Sequence, residues 1–330
     1  MKGASTSNFW DQISIAIPTF NRASYLLRLL DKIAACFPAN VEICVRDNAS
    51  SDETARGIIA WKTQHPEINL RFVRNETNTG VDANIRAVCS DCSRPWIKLF
   101  GDDDLFDETL PSRMEKAVTM EDDQQLGLIF FNYYEITSDM KDRRTERQIP
   151  IFEDRLFRDG REIVALVAEM LPLVSSLLVR RDRFVAAFPR MPGQISDGGV
   201  GFVWAILDAL EERSAFFVSD PLIAWACGDP ERGFSWKNTV VRDLLWLVED
   251  RCPQYLSQVK KGTLHHQIIP RMRTLGRSGA AWTDRISILR FLVPHYLECP
   301  AFWLRAVPRA LAPKWIYSSI LSLPFRVSTP

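Results

Sequence analysis

The first 120 residues alternate short apolar runs with amphipathic stretches, and polar turns join them. Residues 13–17 alternate large and small apolar side chains as a buried strand does, and Pro18, which has no backbone N–H, is predicted to end this strand. Apolar residues recur at helical spacing from Tyr25 to Ile33 and predict a helix with one buried face. Strand, turn and helix form the first unit of the chain.

The same unit recurs along the chain. Period-two runs at residues 41–46 and 70–74 predict the second and third strands, and the apolar run that begins at Trp96 predicts the fourth. Ser50 and Glu53 have capping-box spacing and are predicted to begin the second helix. Strands that alternate with helices indicate an α/β fold with a mostly parallel sheet, whose ligands bind beyond the carboxyl ends of the strands.

Four polar turns therefore meet at one predicted rim of the sheet. They are residues 19–22, 47–52, 75–80 and 101–104. The last turn holds three consecutive carboxylates, Asp102, Asp103 and Asp104, which repel one another and are costly to desolvate without a counter-charge. Mg²⁺ and Mn²⁺ prefer such oxygen ligands and often share them with substrate phosphates. The alternative for an isolated motif of this kind is a solvated acidic turn.

Further strands and a largely helical end are predicted for the rest of the chain. The predicted strands are residues 126–134, 174–179, 216–218 and 222–225. The charged residues 135–147 are predicted to form an exposed loop or a lid. A helix capped by Asp159 is expected to end near residue 170, and a glycine-rich loop at residues 193–201 precedes another helix. From about residue 239 the apolar spacing is helical.

The charge balance excludes a global basic field that would recruit nucleic acid, because 41 Lys and Arg residues offset 41 Asp and Glu residues. Seven scattered cysteines indicate reduced thiols and a cytoplasmic setting. Cys89 and Cys92 are close in sequence, but no second pair of ligands follows them, which argues against zinc. Residues 1–12 lack a signal-peptide pattern, and no apolar run is long enough to span a bilayer. We therefore expect a protein that is soluble or lies on a membrane surface.

The polar turns, taken in order, resemble the family 2 glycosyltransferases with the GT-A fold. The matching segments are residues 15–22, 47–54, 75–80 and 101–104. The resemblance is close over residues 13–120 and less specific to about residue 237. It implies a Rossmann-like GT-A catalytic domain over residues 1–237, with a nucleotide-sugar half (13–120) and an acceptor half (121–237). Residues 238–330 lie beyond the resemblance, and their apolar spacing predicts a helical region.

The resemblance also implies a reaction. Family members transfer a sugar from a nucleotide-diphosphate donor to a hydroxyl group, and here the implied reaction is inverting and uses Mn²⁺ or Mg²⁺ as a Lewis acid at the diphosphate. The GDDD motif after a DNAS turn resembles, within this family, the bacterial O-antigen enzymes of the abequosyltransferase type. The implied pathway is therefore surface-polysaccharide assembly, with a glycan or a lipid-linked glycan as acceptor.

The family pattern assigns a role to residues at each turn. For the metal, the pair is Asp102 with Asp103, or Asp102 with Asp104; Asp103 is the favoured principal ligand, and Asp102 lies near the ribose or the metal. The residues implied to bind the nucleotide sugar are Pro18, Thr19 and Asn21 in the first loop, Asp47 at the base, Asn78 and Gly80 near the sugar or diphosphate, and Arg232 in a late loop over the diphosphate.

The implied general base is Asp197, which would deprotonate the acceptor hydroxyl. Family members carry an acidic residue at the start of a helix in the acceptor half, commonly as a Glu-Asp pair, whereas this chain has Ser196 before Asp197. A helix cap is the alternative role for Asp197.

Residues 301–330 have a composition that suits a membrane surface. They include four cations, no Asp or Glu, and interleaved aromatic residues: Arg305, Arg309, Lys314, Arg326, Trp303, Trp315, Tyr317 and Phe325. Such a segment favours the headgroup region of an anionic membrane, here at the cytoplasmic face of the inner membrane. The alternative is a helical bundle packed on the catalytic domain, or a dimer contact.

Two rival functions remain at this point. A phosphohydrolase with an aspartate nucleophile usually carries its acidic motif on the first strand, whereas here the motif follows the fourth. A non-catalytic nucleotide-sugar binding protein is the other alternative, and donor turnover distinguishes it from a transferase.

Overall fold

Strands from both halves of the chain pair in one sheet. The computed structural model describes residues 9–120, 125–137, 141–192, 199–226, 242–278 and 280–312. The strands are β1 (Ile13–Thr19), β2 (Glu42–Asp47), β3 (Leu70–Arg74), β4 (Trp96–Leu99), β5 (Leu105–Phe106), β6 (Leu126–Ile136), β7 (Arg155–Phe157), β8 (Leu177–Arg180) and β9 (Ser214–Ala226). Their order is β3-β2-β1-β4-β8-β6-β9-β5, and β7 pairs with β9.

Helices flank both faces of this sheet. They are α1 (Ala23–Cys36), α2 (Thr54–Gln64), α3 (Val81–Asp91), α4 (Leu110–Met120), α5 (Val164–Val167), α6 (Arg181–Ala187), α7 (Gly201–Ala209), α8 (Leu244–Arg251), α9 (Leu256–Thr263), α10 (Ile269–Ser278), α11 (Trp282–Tyr296) and α12 (Val307–Leu311). The expected α/β fold with a helical C-terminal region is confirmed. Every described helix is too short or too polar to cross a bilayer.

The parallel part of the sheet is the order β3-β2-β1-β4. In this part, the turns that follow β1, β2 and β4 lie at the same edge of the sheet, as the alternation of strands and helices predicts. The second half of the sheet is mixed, because β8 runs antiparallel to both β4 and β6, whereas β9 runs parallel to β6. The polar turns of the first half therefore share one rim.

Strand β1 continues through Pro18, which was expected to end it. Pro18 stays in register with Arg46, and Thr19 with Asp47. The carbonyl of Ala16 accepts a hydrogen bond from the Phe100 N–H on the side of β1 that faces β4. The backbone nitrogen of Pro18, two residues later, points to that same side. Pairing with β4 has ended there, so the missing N–H of proline removes no bond from the sheet.

The predicted capping box of α2 is wrong. The helix begins at Thr54, and Glu53 at its N-cap position makes no side-chain capping bond. The Ser50 hydroxyl instead donates to Asp47, while Asp52 Oδ1 accepts the Thr54 N–H at 3.0 Å. The Ser50 side chain thus bonds to the end of β2, and the carboxylate of Asp52 accepts the first N–H of the helix.

The second half differs from its predicted elements in three places. Residues Val174–Ser176 form a 3₁₀ turn before β8, and the helix after Asp159 is a succession of 3₁₀ turns around the short α5. The two short strands predicted near residues 216–225 are the single strand β9, which passes Pro221 with an irregular register opposite Asn132. Of residues 135–147, the described part includes the end of β6 and an isolated bridge from Ile136 to Arg143.

Two apolar clusters cover the two faces of the sheet. On one face, alternate residues of β1 pack with α1, and this cluster includes Ile13, Ile15, Ile17, Leu26, Leu29 and Leu30. The other cluster joins Ala16 and Leu99 of the sheet to α3 and α7 and to the C-terminal helices, through residues that include Val88, Phe202, Leu244, Leu292 and Ala310. The helical region thus packs on the same core as the sheet.

Candidate active site

The three aspartate side chains of the turn after β4 point in different directions. The Gly101 N–H donates to Ser175 Oγ at 2.8 Å, and the Asp104 N–H donates to the Gly101 carbonyl at 3.3 Å, which closes the turn. Asp102 accepts a hydrogen bond of 2.7 Å from Thr19 Oγ1, and Asp103 forms an ion pair with Arg22. The ends of β1 and β4 are therefore joined by side chains.

Arg22 provides the counter-charge that adjacent carboxylates require. Its guanidinium pairs with Asp103 and lies 3.6 Å from Asp102. Two neighbouring carboxylates that converge on one cation form a donor set of the kind that Mg²⁺ or Mn²⁺ binds, so these residues fit such an ion. Arg22 lies in a segment that resembles the family, but no role was predicted for it. The unbalanced charge of the three aspartates is the feature of the sequence that indicates a nearby cation.

Asp104 points into the protein. It is 3% exposed, and its Oδ2 accepts a hydrogen bond of 2.6 Å from Ser175 Oγ. Beneath it lies Lys98, which is fully buried and donates from Nζ to the carbonyls of Ser175 and Leu99. Burial lowers the pKa of Lys98 well below its usual range, and the charge of Asp104 opposes that shift. Asp104 thus contributes to the interior of the turn.

Asp47, at the end of β2, is fully buried and anchors the turn that follows it. Its Oδ1 accepts hydrogen bonds from the N–H and hydroxyl of Ser50. Its Oδ2 lies 3.2 Å from Nε of Arg74 and accepts no hydrogen bond from the described residues. One carboxylate oxygen therefore has acceptor capacity left.

Asn21 connects the first loop to this second turn. It adopts a positive φ of 54°, a left-handed conformation that asparagine tolerates better than most residues. Its N–H donates to Ser50 Oγ at 2.8 Å, and its Oδ1 accepts the Ser51 N–H at 2.8 Å. Pro18, at the base of the same loop, is partly buried. The loops after β1 and β2 are thus held against each other.

The third turn is held by the side chain of Asn48. This amide donates to Asn78 Oδ1 at 2.8 Å and to the Gly80 carbonyl at 3.2 Å, and its oxygen accepts the Thr79 N–H at 3.0 Å. Gly80 precedes α3 with φ 86° and ψ 165°, a conformation that a side chain would strain. Asn78 and Gly80 therefore lie beside the end of β2, as predicted.

Asp82, in the first turn of α3, reaches the start of α7. Its carboxylate accepts the Gly199 N–H at 2.9 Å and the Phe202 N–H at 3.4 Å, and it is 8% exposed. No local pattern predicts this contact, because it joins residues 117 positions apart. Asp197 and Arg232, the predicted base and the predicted diphosphate ligand, lie outside the described residues.

We expect the Asp82→Ala variant to lose about 1 kcal/mol of unfolding free energy, because two N–H groups at the start of α7 lose their acceptor. Urea unfolding measures this loss. Asp82→Asn keeps one acceptor oxygen and should lose less. An asparagine variant as unstable as the alanine variant would contradict the role of Asp82 as an acceptor.

Residues 14–177, about half of the chain, match the sequence model of glycosyl transferase family 2. Among curated proteins, the chain is 28% identical to the abequosyltransferase RfbV of Salmonella typhimurium over 185 residues, which are 53% of this chain and 54% of that protein. It is 24% identical to an uncharacterized glycosyltransferase of Haemophilus influenzae over 119 residues, 36% of this chain and 37% of that protein. The matched part spans about half or less of each of these relatives.

Solved structures share the fold at low sequence identity. The S. aureus TarS 1–349 structure matches with a TM-score of 0.62 at 15% identity and covers 96% of this chain and 93% of its own. The Pyrobaculum calidifontis mannosyltransferase PcManGT, in complex with GDP-Man and Mn²⁺, matches with a TM-score of 0.50 at 17% identity, over 95% of this chain and 76% of its own. Together, the family match and the shared fold show that this chain belongs to glycosyl transferase family 2 and has an α/β fold of the GT-A type.

Proposed function

We propose that the chain transfers a sugar from a nucleotide-diphosphate donor to a hydroxyl group of a glycan or lipid-linked glycan. The observation that carries this proposal is the junction of three strand ends. Asp102 bonds to Thr19, Asp103 pairs with Arg22, and Asp47 lies in register with Thr19 on the neighbouring strand. This rim offers carboxylates for a cation beside a buried carboxylate with acceptor capacity left, the two features that a nucleotide diphosphate needs.

Asp102 and Asp103 would hold Mn²⁺ or Mg²⁺, with Asp103 as the principal ligand. The bound ion would offset the negative charge that grows on the leaving diphosphate. Asp104, the third candidate ligand, faces Ser175 instead, which supports the pair Asp102 and Asp103 over the pair Asp102 and Asp104. The Mn²⁺ in the PcManGT complex is consistent with an ion in a protein of this fold.

Each turn would bind a separate part of the donor. Asp47 would accept an N–H of the base, since its Oδ2 is without a hydrogen bond from the described residues. Pro18, Thr19 and Asn21 would line the nucleotide pocket. Asn78 and Gly80 would lie at the sugar or diphosphate, and Arg232 would neutralise phosphate charge. TarS structures in complex with UDP-GlcNAc and UDP, and PcManGT with GDP-Man, support a donor of this class.

The transfer would invert the configuration at the anomeric carbon. The acceptor hydroxyl would attack this carbon from the face opposite the diphosphate and lose its proton to Asp197, while the bond to the diphosphate breaks. Residues 13–120 would bind the donor and residues 121–237 the acceptor. The relative RfbV, an abequosyltransferase, supports a place in bacterial O-antigen or related surface-polysaccharide assembly.

A panel of nucleotide sugars with and without Mn²⁺ tests the proposed function. We expect at least one donor to raise the thermal midpoint of unfolding only when the ion is present, and to be consumed with inversion when a glycan acceptor is added. A ligand at 100 times its dissociation constant stabilises by about 2.7 kcal/mol, which such a scan detects readily. Stabilisation without transfer or hydrolysis would favour a nucleotide-sugar binding protein, and no response to any donor would overturn the proposal.

The C-terminal region would contact the cytoplasmic face of an anionic membrane. Leu297, Trp303 and Leu304 are 60%, 42% and 76% exposed, and Arg305 and Arg309 lie on the same short segment as the last two. The remaining residues of the predicted surface segment, 313–330, lie outside the described part of the chain. Exposed apolar side chains beside cations are typical of a surface that enters the headgroup region.

Flotation with vesicles tests this membrane contact. We expect the full-length chain to float with vesicles that contain anionic lipid and to be released by high salt, because Lys and Arg contribute through screened electrostatic attraction. Leu304→Glu should reduce flotation, whereas Ile59→Glu, at a 58% exposed position of α2, is the matched control and should not. No flotation of the unmodified chain would remove the membrane hypothesis.

A further inference from the structure

A cluster of metal-ligand side chains lies at the edge of the sheet opposite the strand ends described above. Glu42 is the first residue of β2, and Cys44 follows it on the same face of that strand. Cys92 follows the last residue of α3. A carboxylate oxygen of Glu42 and the Sγ atoms of Cys44 and Cys92 all lie within 4.8 Å of one another.

Neighbouring side chains fix the carboxylate of this cluster. Ser14 Oγ donates to Glu42 Oε2, and Ser93 donates from its N–H at 2.8 Å and from its hydroxyl at 2.7 Å. A carboxylate offers about four lone-pair sites, so three donors leave acceptor capacity for an ion. Such bonds orient metal ligands in the way that the outer contacts of known metal sites do.

The two sulfur atoms determine which ion would fit. Cys44 and Cys92 are each 1% exposed, and apolar residues surround them. Ligand atoms of a tetrahedral zinc site, at about 2.3 Å for sulfur and about 2.1 Å for oxygen, lie roughly 3.5 to 4 Å apart, which is within the observed spread. Thiolate ligands select soft or borderline ions such as Zn²⁺ over Mg²⁺ or Mn²⁺.

We propose that Glu42, Cys44 and Cys92 bind one thiophilic divalent cation of the Zn²⁺ class. As each sulfur becomes a ligand, its thiol proton passes to solvent. The ion would tie the start of β2 to the segment that leads into β4, the two strands whose other ends carry Asp47 and the aspartate turn. The sequence argued against zinc because no ligand pair follows Cys92, whereas the structure supplies the partners from β2, upstream.

Titration of the metal-free, full-length protein with Cd²⁺ tests the proposal, because a Cd–thiolate bond gives an ultraviolet charge-transfer band. We expect the absorbance of this band to saturate at about one Cd²⁺ per chain. Added Zn²⁺ should displace the Cd²⁺ and remove the band. Cys44→Ser and Cys92→Ser should each reduce the saturating absorbance by about half and weaken binding at least tenfold, and Glu42→Gln should weaken binding about tenfold.

Two controls separate this site from others. Cys252→Ser removes an equally buried thiol outside the cluster and should leave the band unchanged. Asp103→Asn alters the carboxylate site at the opposite edge and should also leave it unchanged, so the result is independent of the proposed transferase activity. Absence of the band in the unmodified protein, or an unchanged band in both Cys44→Ser and Cys92→Ser, would overturn the proposal.

Discussion

Replacing Asp103 with asparagine is expected to reduce sugar transfer by about 100-fold or more, the effect of removing one group that stabilises developing charge. The substitution keeps the size of the side chain and removes the charge that pairs with Arg22. Because both partners of this pair are partly solvated, the cost in unfolding free energy should stay below about 1 kcal/mol. Initial rates over a range of Mn²⁺ concentrations, with urea unfolding in parallel, measure the two effects.

The matched control for this substitution is Glu108→Gln. Glu108 follows the aspartate turn, has a side chain that is 81% exposed, and pairs with Lys32 at 2.8 Å. Its replacement removes the same charge from the same region and should leave transfer unchanged. In Asp103→Asn the Mn²⁺-dependent rise in thermal midpoint should also be lost. Transfer at the rate of the unmodified protein would assign the ion to other residues.

Lys98→Met is expected to lower the unfolding free energy by about 1 to 3 kcal/mol, because two buried carbonyl groups lose this donor. The methionine fills similar volume but removes the bonds from Nζ to the carbonyls of Ser175 and Leu99, and it removes the positive charge beneath Asp104. Lys62→Met, at an exposed position of α2, is the control and should change the free energy by less than about 0.5 kcal/mol.

The double variant Lys98→Met with Asp104→Asn distinguishes a coupled pair from two separate effects. If the two charges offset each other, the double variant should lose clearly less than the sum of the single losses. Urea unfolding of the four proteins completes this cycle. Additive losses would show that Lys98 acts only through its two carbonyl partners.

The pH dependence of stability gives a second measurement of Lys98. Because burial lowers its pKa well below 10.5, the folded chain releases this proton at a lower pH than the unfolded chain does. Between these two pKa values the unfolded state binds more protons, so the unfolding free energy rises with pH. This rise should be missing from Lys98→Met, and an identical pH profile in both proteins would contradict the shift.

The sequence predicted the rim because strand ends follow from local patterns. Apolar runs with period two, each followed by a polar turn, are sufficient to bring Thr19, Asp47 and the aspartates to one edge of a parallel sheet. Thr19 and Asp47 are register partners, and Asp102 accepts a bond from Thr19. The family resemblance then named the chemistry, which the pattern alone left open.

The orientation of each aspartate could not be predicted, since it depends on residues distant in sequence. Asp104 turns inward because of Ser175, 71 positions later, in a stretch predicted to be a strand. Lys98 gave no sign of full burial, because lysine in a short strand ordinarily faces solvent. The wrong prediction of the helix cap has the same cause. The Ser50 hydroxyl donates to Asp47 and accepts the N–H of Asn21, whereas the capping-box pattern considers only residues at the start of the helix.

The apolar cluster that joins α3 and α7 to α8, α11 and α12 affects how the chain folds. In this cluster, apolar side chains that flank the candidate site and apolar side chains of the C-terminal helices bury each other's surface. If either set unfolds, the apolar surface of the other becomes exposed to water. A functional division near residue 238 would thus not coincide with a division into separately unfolding units. Heat or denaturant should unfold the sheet and the C-terminal helices in one cooperative transition. A destabilising substitution in the C-terminal helices should therefore also lower the stability of the rim.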